Sequence, residues 1–136
     1  MSVPPFVPPE DATTSRWWDA TRSERLLLQR CADCGSVQHP PRPLCVECGG
    51  ASLEEAEASG QGVVDTFTVV RRSPMPGFEP PYVVARVILA EGPIVLTNIV
   101  DCEPEHVRCD LPVGLRWQAL GDGRSLPVFS PRSNDA

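Results

Sequence analysis

The second half of the chain alternates apolar and polar positions with the period of β-strands. The alternating segments are rich in β-branched residues and are separated by turn residues. They predict strands at residues 63–70, 82–89, 94–100, 115–120 and 125–129. Residues 103–108 predict one short helical turn between the third and fourth strands. Five strands with an insertion at this position are typical of an OB-fold barrel, and the helical turn favours it over an SH3-like barrel.

The first quarter of the chain has a different pattern. Residues 1–10 contain four prolines and predict an extended arm, either a polyproline-like strap or a disordered segment. Residues 11–23 predict the one good helix, with Asp11 or Thr13 as its N-cap. Residues 25–30 and 37–39 predict a pair of short strands. Residues 51–61 predict a connection, in which two glycines mark a bend or bulge before the first barrel strand.

These patterns divide the chain into segments of mainly β structure. We expect an N-terminal arm and helix at residues 1–24, a small ribbon at 25–58, an OB-fold barrel at 59–131 and a loose tail at 132–136. The ribbon is too short to hold a large hydrophobic core, so it needs another source of folding energy.

Four cysteines organise the ribbon. Cys31 and Cys34 form one Cys-x-x-Cys pair and Cys45 and Cys48 form another, with ten residues between the pairs. This spacing can place four thiolates at the corners of a tetrahedron, the geometry of a structural zinc site. A glycine follows each pair and suits the tight turn of a zinc knuckle. Disulfides or free thiols are the weaker alternatives, and the same arrangement holds iron in rubredoxin, which leaves electron transfer open.

The amino-acid composition argues against nucleic-acid binding and membrane contact. The net charge is −6 and all twelve basic residues are arginine. An acidic chain with few aromatic residues is a poor candidate for nucleic acid, although zinc ribbons and OB barrels both occur in that class. No apolar run reaches the length of a membrane span, and no signal peptide is present, so a cytoplasmic protein with reduced cysteines and no membrane contact is expected.

The sequence contains no recognisable catalytic motif. His39 and His106 have no nucleophile at a motif spacing, and His39 is expected to be an ordinary strand or loop residue. Cys102 and Cys109 match no metal motif and are expected to be ordinary thiols. Arg71-Arg72 could meet a phosphate or a partner carboxylate, or could lie in a solvated loop.

Trp17 and Trp18 are adjacent on the predicted helix. Adjacent helical residues point about 100° apart, so both are not expected to bury against one small surface. One alternative is that one packs on this chain and the other is half exposed. The other is that at least one anchors a partner protein, since tryptophan is common at interface hot spots.

Several motifs together resemble the DUF35 family. They are a tryptophan-bearing helix, Leu-x-x-x-Arg-Cys-x-x-Cys-Gly at 26–35, Pro-Pro-Arg-Pro-x-Cys-x-x-Cys at 40–48 and Ser-Gly-x-Gly-x-Val at 59–64. Further matches lie at 81–84, 91–92, 100–101 and 114–117. The resemblance implies a rubredoxin-like zinc ribbon followed by an OB-fold, with zinc bound by all four cysteines.

The resemblance also implies a function. Such proteins are usually non-catalytic partners of thiolase-like enzymes, including lipid-transfer-protein-like thiolases and aldolases, and some are paired with hydratases of steroid side chains. It implies a hetero-oligomer in which this chain helps to shape an acyl-CoA channel. The catalytic residues would belong to the partner. The arginine-rich, proline-rich composition is of the kind found in high-GC bacteria, where steroid side-chain degradation is common, and this favours an aldolase-type thiolase partner for a steroid acyl-CoA.

Overall fold

The structure is a computed structural model that describes residues 7–74 and 76–132. One short helix precedes eight strands, and a 3₁₀ turn, Pro104–His106, lies between the sixth and seventh strands. The elements are α1 (Ser15–Thr21), β1 (Leu27–Cys31), β2 (Val37–Gln38), β3 (Leu53–Glu57), β4 (Gln61–Val70), β5 (Tyr82–Leu89), β6 (Ile94–Ile99), β7 (Pro112–Ala119) and β8 (Ser125–Pro131).

The last five strands form a closed barrel in the order β4-β5-β6-β8-β7. Antiparallel pairing of β4 with β7 closes one side, and a single parallel pair, Ile99 with Phe129, joins β6 to β8. A Cβ at Gly62 would lie 2.7 Å from the carbonyl oxygen of Ile88, so only glycine fits where β4 and β5 approach each other here. The predicted mainly β fold, with a five-stranded OB-fold barrel, is confirmed.

The barrel core follows from the alternation read in the sequence. On β5 every second residue is buried, and the largest fully buried side chain of the described residues is Phe129 on β8. Burying one such side chain contributes about 1.5–3 kcal/mol relative to leaving it exposed. Fully buried members include Val64, Val87, Leu89, Val113 and Phe129.

The ribbon is a three-stranded sheet in the order β2-β1-β3. Its third strand, Leu53–Glu57, falls where the sequence predicts a connection. The segment Leu-Glu-Glu-Ala-Glu has no strand-like alternation, so the pattern gives no sign of it. It becomes a strand because it pairs with all five residues of β1. Arg25 and Arg16 also donate to the carboxylates of Glu57 at 2.8 Å and Glu55 at 2.6 Å, and these exposed ion pairs add little stability.

Ribbon and barrel share one hydrophobic cluster. Leu26, Leu28 and Ala58 pack in the same group of buried residues as the barrel core. Backbone hydrogen bonding reinforces this junction, since the Ala58 N–H donates to the Leu26 carbonyl at 2.9 Å. The ribbon is therefore attached to the barrel through an apolar seam at the start of β1 and the end of β3.

The helix is shorter than predicted. Residues 11–23 contain the seven-residue helix α1 with turns on both sides. Asp11 caps the turn before it, since its carboxylate accepts the amides of Thr13 and Thr14, both at 2.9 Å. These bonds, the one to Thr14 foremost, lower the pKa of Asp11. Residues 7–10 have no regular structure. The rest of the predicted arm (1–6) and all but the first residue of the predicted tail (133–136) lie outside the described residues.

Candidate metal centre and partner surface

The four ribbon cysteines converge. The Sγ atoms of Cys31, Cys34, Cys45 and Cys48 all lie within 4.8 Å of one another. Cys31 Sγ is 3.6 Å from Cys48 Sγ, and Cys34 Sγ is 3.6 Å from Cys45 Sγ. Each close pair joins one cysteine from each knuckle, so the two turns face each other across the site.

Local backbone geometry explains why both turns have the same shape. The Gly35 N–H donates to the Cys31 carbonyl at 2.8 Å, and the Gly49 N–H donates to the Cys45 carbonyl at 2.9 Å. Both glycines have positive φ, +80° and +77°, which a side chain with a Cβ rarely adopts. The amide of Gly50 lies 3.4 Å from Cys48 Sγ and helps to neutralise it.

Hydrogen bonding favours the thiolate form at two of the four cysteines. The Ser36 hydroxyl lies 3.1 Å from Cys34 Sγ and 3.3 Å from Cys45 Sγ. Its hydrogen bond is the largest cause that lowers the pKa of Cys34, and together with the amides of Cys48 and Glu47 it lowers the pKa of Cys45 to about 6. At Cys48 the Gly50 amide lowers the pKa, but the hydrogen bond with Cys31 and desolvation outweigh it and raise the pKa to about 12. The sequence-based prediction does not include Ser36, because a serine beside a knuckle carries no motif of its own.

These residues fit a metal ion. Four sulfur donors at mutual distances below 4.8 Å suit a tetrahedral Zn²⁺ or iron site. Cys31 and Cys45 are buried, whereas Cys34 and Cys48 are exposed at the protein surface. Four protein ligands would leave no open coordination position, so the arrangement suits a structural role rather than Lewis-acid chemistry.

The two adjacent tryptophans have different environments. Trp18 is 8% exposed and lies beneath the Arg124 guanidinium, which is 4.5 Å from the ring centroid. Trp17 is half-buried, meets Trp18 edge-on at 4.7 Å and lies 5.8 Å from the His39 ring. Trp18 therefore packs within this chain, which leaves Trp17 as the tryptophan that a partner could reach.

Trp17 borders a cleft of about 380 Å³ between α1 and the ribbon. An ion pair between Arg16 and Glu55 lies at this cleft, with Nε and Oε2 2.6 Å apart. The Trp17 indole N–H is buried without a hydrogen-bond partner among the described residues. The cleft is lined by Thr13, Arg16, Trp17, Leu27, Leu28, Gln29, Gln38, Pro41, Leu53, Glu54 and Glu55.

Arg124 connects the helix, the arm and the barrel. Its side chain is 5% exposed and donates from Nε to Asp122 and from Nη2 to the Pro8 carbonyl, both at 2.8 Å. A third contact, of 3.4 Å, reaches Glu10. The sequence does not distinguish this arginine from the other eleven, because only Asp122 is a local partner, whereas Pro8 and Glu10 lie more than one hundred positions away in the chain.

The remaining candidate residues stay apart from the cysteines. His39 packs against Trp17, and burial lowers its pKa to about 4. Neither it nor Cys102 or Cys109 belongs to the group of potential metal ligands found among the described residues. Burial also raises the pKa of Cys102, which makes this thiol less reactive.

Arg71 and Arg72 are exposed just after the end of β4.

The helix α1 has only seven residues, and no helix in the described part of the chain combines the length and the apolar character that a membrane crossing needs.

Comparison with known proteins supports this architecture. Residues 18–54 match the family described as the ChsH2 rubredoxin-like zinc ribbon domain, and residues 55–118 match the ChsH2 C-terminal OB-fold domain. The boundary between the two matches falls within β3. The ribbon and the barrel therefore each match a ChsH2 domain, with the zinc ribbon first and the C-terminal OB-fold domain second.

Two hydratase subunits are similar in sequence to this chain. A probable enoyl-CoA hydratase alpha subunit of Thermomonospora curvata is 42% identical over 115 residues, 85% of this chain but only 36% of the relative. A 3-oxo-4,17-pregnadiene-20-carboxyl-CoA hydratase alpha subunit of Mycobacterium tuberculosis is 33% identical over 91% of this chain and 39% of its own length. This chain thus spans little more than a third of each hydratase subunit.

Two further matches cover most of both proteins. A DUF35 domain-containing scaffold protein of Pyrococcus furiosus is 42% identical over 69% of this chain and 70% of the relative. A solved structure of an Ltp2-ChsH2(DUF35) aldolase contains a chain that is 39% identical, with a TM-score of 0.85 over 92% of this chain and 98% of that chain. This chain belongs to the DUF35 family.

Proposed function

We propose that this chain is a non-catalytic accessory subunit that binds a thiolase-fold acyl-CoA enzyme, in a hetero-oligomer. The observation that carries the proposal is the match to the DUF35 chain of an Ltp2-ChsH2(DUF35) aldolase, at TM-score 0.85 and over 98% of that chain. The scaffold-protein relative supports the same role. Catalytic residues would then belong to the partner enzyme.

We further propose that the substrate is an acyl-CoA from steroid side-chain degradation. Support comes from the hydratase relative named for a pregnadiene carboxyl-CoA, of which this chain resembles about a third. Coenzyme A would lie near the interface, and the cleft beside Trp17 is a candidate part of that interface.

The proposed metal is zinc, bound by Cys31, Cys34, Cys45 and Cys48. The convergence of the four sulfurs and the match to a zinc ribbon domain support it. Its role would be to fix the two knuckles and hence the ribbon sheet. Elemental analysis of the purified protein tests the identity of the metal: one zinc per chain is expected, whereas a red protein containing iron would indicate a rubredoxin-like site.

The test of function begins in the native host. The chain is tagged, isolated with its bound proteins, and the partner is identified by mass spectrometry. The pair is then reconstituted from separately purified proteins, and the mass of the complex is measured by light scattering. We expect a thiolase-fold enzyme in a stable complex, and acyl-CoA turnover by the complex but not by this chain.

Two results would contradict this proposal. Turnover of an acyl-CoA by the isolated chain would make it an enzyme in its own right. Failure of every thiolase-fold candidate to bind the purified, zinc-loaded chain would remove the accessory role.

A further inference from the structure

Strand β6 pairs with β5 along one edge, and β8 pairs with its other edge only at Ile99. At the hairpin, the Leu89 N–H donates to the Pro93 carbonyl at 2.9 Å, and the register continues through Val87 with Val95. Hydrogen-bonded and non-hydrogen-bonded pairs alternate along an antiparallel ladder. The backbone groups of residues 95, 97 and 99 therefore face β5, and those of Ile94 and Leu96 point to the opposite edge.

No strand in the described part of the chain pairs with Ile94 or Leu96 on that edge. The neighbouring strand β8 meets β6 only where Ile99 is opposite Phe129. Closer to the hairpin the two strands are joined by a side chain instead, as the Thr97 hydroxyl donates to the Pro127 carbonyl at 2.8 Å. Pro127 has no N–H to donate in return.

The surface beside this edge is apolar. Leu96 is 72% exposed and Ile94 is 36% exposed, although both belong to a strand. Leu96 borders a shallow cleft of about 330 Å³ on the outer face of the barrel. The cleft is lined by Pro74, Phe78, Tyr82, Val84, Leu96, Thr97 and Asn98.

Charge is nearly absent from this face. Strand β6, Ile-Val-Leu-Thr-Asn-Ile, carries no ionisable residue. On the adjacent strand Arg86 is paired with Asp65, Nε to Oδ2, at 3.7 Å. Folded proteins usually protect an open strand edge with charged residues, prolines or bulges, because an apolar edge pairs with other chains. Strand β6 itself contains no charged residue and no proline, which suits a surface that a partner covers.

We propose that the edge of β6 at Ile94 and Leu96 accepts an extended, uncharged strand of the partner enzyme, with an apolar side chain of that strand in the adjoining cleft. This inference rests on the proposed function, which supplies the partner. Unpaired backbone N–H and C=O groups specify a strand rather than a helix, and main-chain bonds of this kind provide affinity in β-augmentation. A second copy is disfavoured because each chain carries a net charge of −6.

The test uses the reconstituted complex with the thiolase-fold enzyme. Hydrogen exchange at the Ile94 and Leu96 amides is compared in the isolated chain and in the complex, and at least about tenfold slower exchange is expected on binding. Leu96→Asp should raise the Kd by at least about tenfold, because it places a charge in the apolar contact.

Leu44→Asp is the matched control. Leu44 is an exposed leucine just before the second knuckle, in the ribbon and not in the barrel that contains β6, so this change adds the same charge to a different part of the fold. The control should leave the Kd within about threefold of wild type. Circular dichroism on both variants checks that they fold, which the exposure of both side chains favours.

The outcomes separate the two proposals. If the wild-type chain binds the enzyme while both amides exchange unchanged and Leu96→Asp binds normally, the edge inference is overturned and the accessory role stands. If the isolated chain is a dimer that Leu96→Asp dissociates, the occupant is a second copy and the inference is also overturned. If no thiolase-fold enzyme binds, the proposed function fails and the inference fails with it.

Discussion

The ribbon and the barrel are both β-sheets, but they bury different kinds of side chain. The ribbon has strands of two to five residues, and the buried residues at its knuckle end are Cys31, Cys45 and Gln38. The barrel has strands of six to ten residues and a core that includes Phe129, Leu89 and several valines. Apolar burial therefore holds the barrel, whereas the knuckle end of the ribbon has no such core and brings together four sulfurs that suit a metal.

The junction between them limits that contrast. Leu26 and Leu28 belong to the ribbon segment by sequence but to the barrel core by contact. The half of the ribbon that lies next to the barrel is therefore held by the same apolar packing as the barrel. Only the knuckles lie outside this apolar packing. Substitutions at the four cysteines are therefore the clearest test of whether the knuckles and the barrel are stabilised independently.

The largest effect is expected from Cys31→Ser. Structural zinc contributes about 10–16 kcal/mol of apparent binding free energy in small zinc peptides, and loss of one of its four thiolate ligands weakens this contribution. We expect loss of the metal and unfolding of the knuckles, while the barrel remains folded. Metal content and hydrogen exchange measure the two effects.

Cys109→Ser is the control for this change. Cys109 is an exposed thiol outside the cluster, so its replacement should leave the metal content unchanged. Retention of one metal per chain in Cys31→Ser would contradict the assignment of the four ligands.

A large effect on the barrel is expected from Phe129→Ala. Removing a fully buried phenylalanine leaves a cavity and costs about 3–5 kcal/mol of unfolding free energy. Urea denaturation measures the loss, and Phe78→Ala, at a partly buried loop position, should cost much less. Bound metal should survive in the folded fraction of Phe129→Ala, and its release there would show that the two regions are one energetic unit.

A smaller effect is expected from acid at the contact between α1 and the ribbon. Burial holds the pKa of His39 at about 4, whereas an unfolded histidine titrates near 6.5. The unfolded state therefore binds more protons below pH 6.5, so stability is full above that pH, falls as pH drops, and levels off near pH 4. The loss is at most about 3 kcal/mol.

The measurement is urea denaturation between pH 7 and pH 5, with metal content checked at each pH. His39→Gln should flatten the pH dependence in this window, and His106→Gln, an exposed position, should not. An unchanged slope in His39→Gln would show that another group causes the acid sensitivity.

The smallest effect is expected from Arg16→Ala. Its ion pair with Glu55 bridges α1 and β3, but both side chains are exposed to solvent. Such pairs contribute about 0–1 kcal/mol and weaken with salt. Thermal unfolding at low and high salt should show a shift of a few degrees at most, and a loss comparable to that of Phe129→Ala would mean that this contact is an essential support of the ribbon.

Much of the barrel could be predicted from sequence because its signal is local. Alternation marks one buried and one exposed face of each strand, and all five predicted strands overlap observed ones. β3 lacks that signal, since its residues are mostly glutamate and its state is decided by pairing with β1. The helix is overextended in the prediction because Asp11 caps a preceding turn and not α1 itself.

The sequence by itself determined the chemistry that depends on short spacing. Each Cys-x-x-Cys-Gly turn has a backbone shape set by its own residues, so the four-sulfur site can be inferred from the sequence alone. The barrel strands can be inferred in the same way from their alternation. Only the tertiary structure decided which tryptophan is buried, where Arg124 bonds and which strand edge stays open. These features depend on contacts between residues far apart in the chain, and burial and pairing at such contacts are set by the packing of whole elements rather than by local pattern.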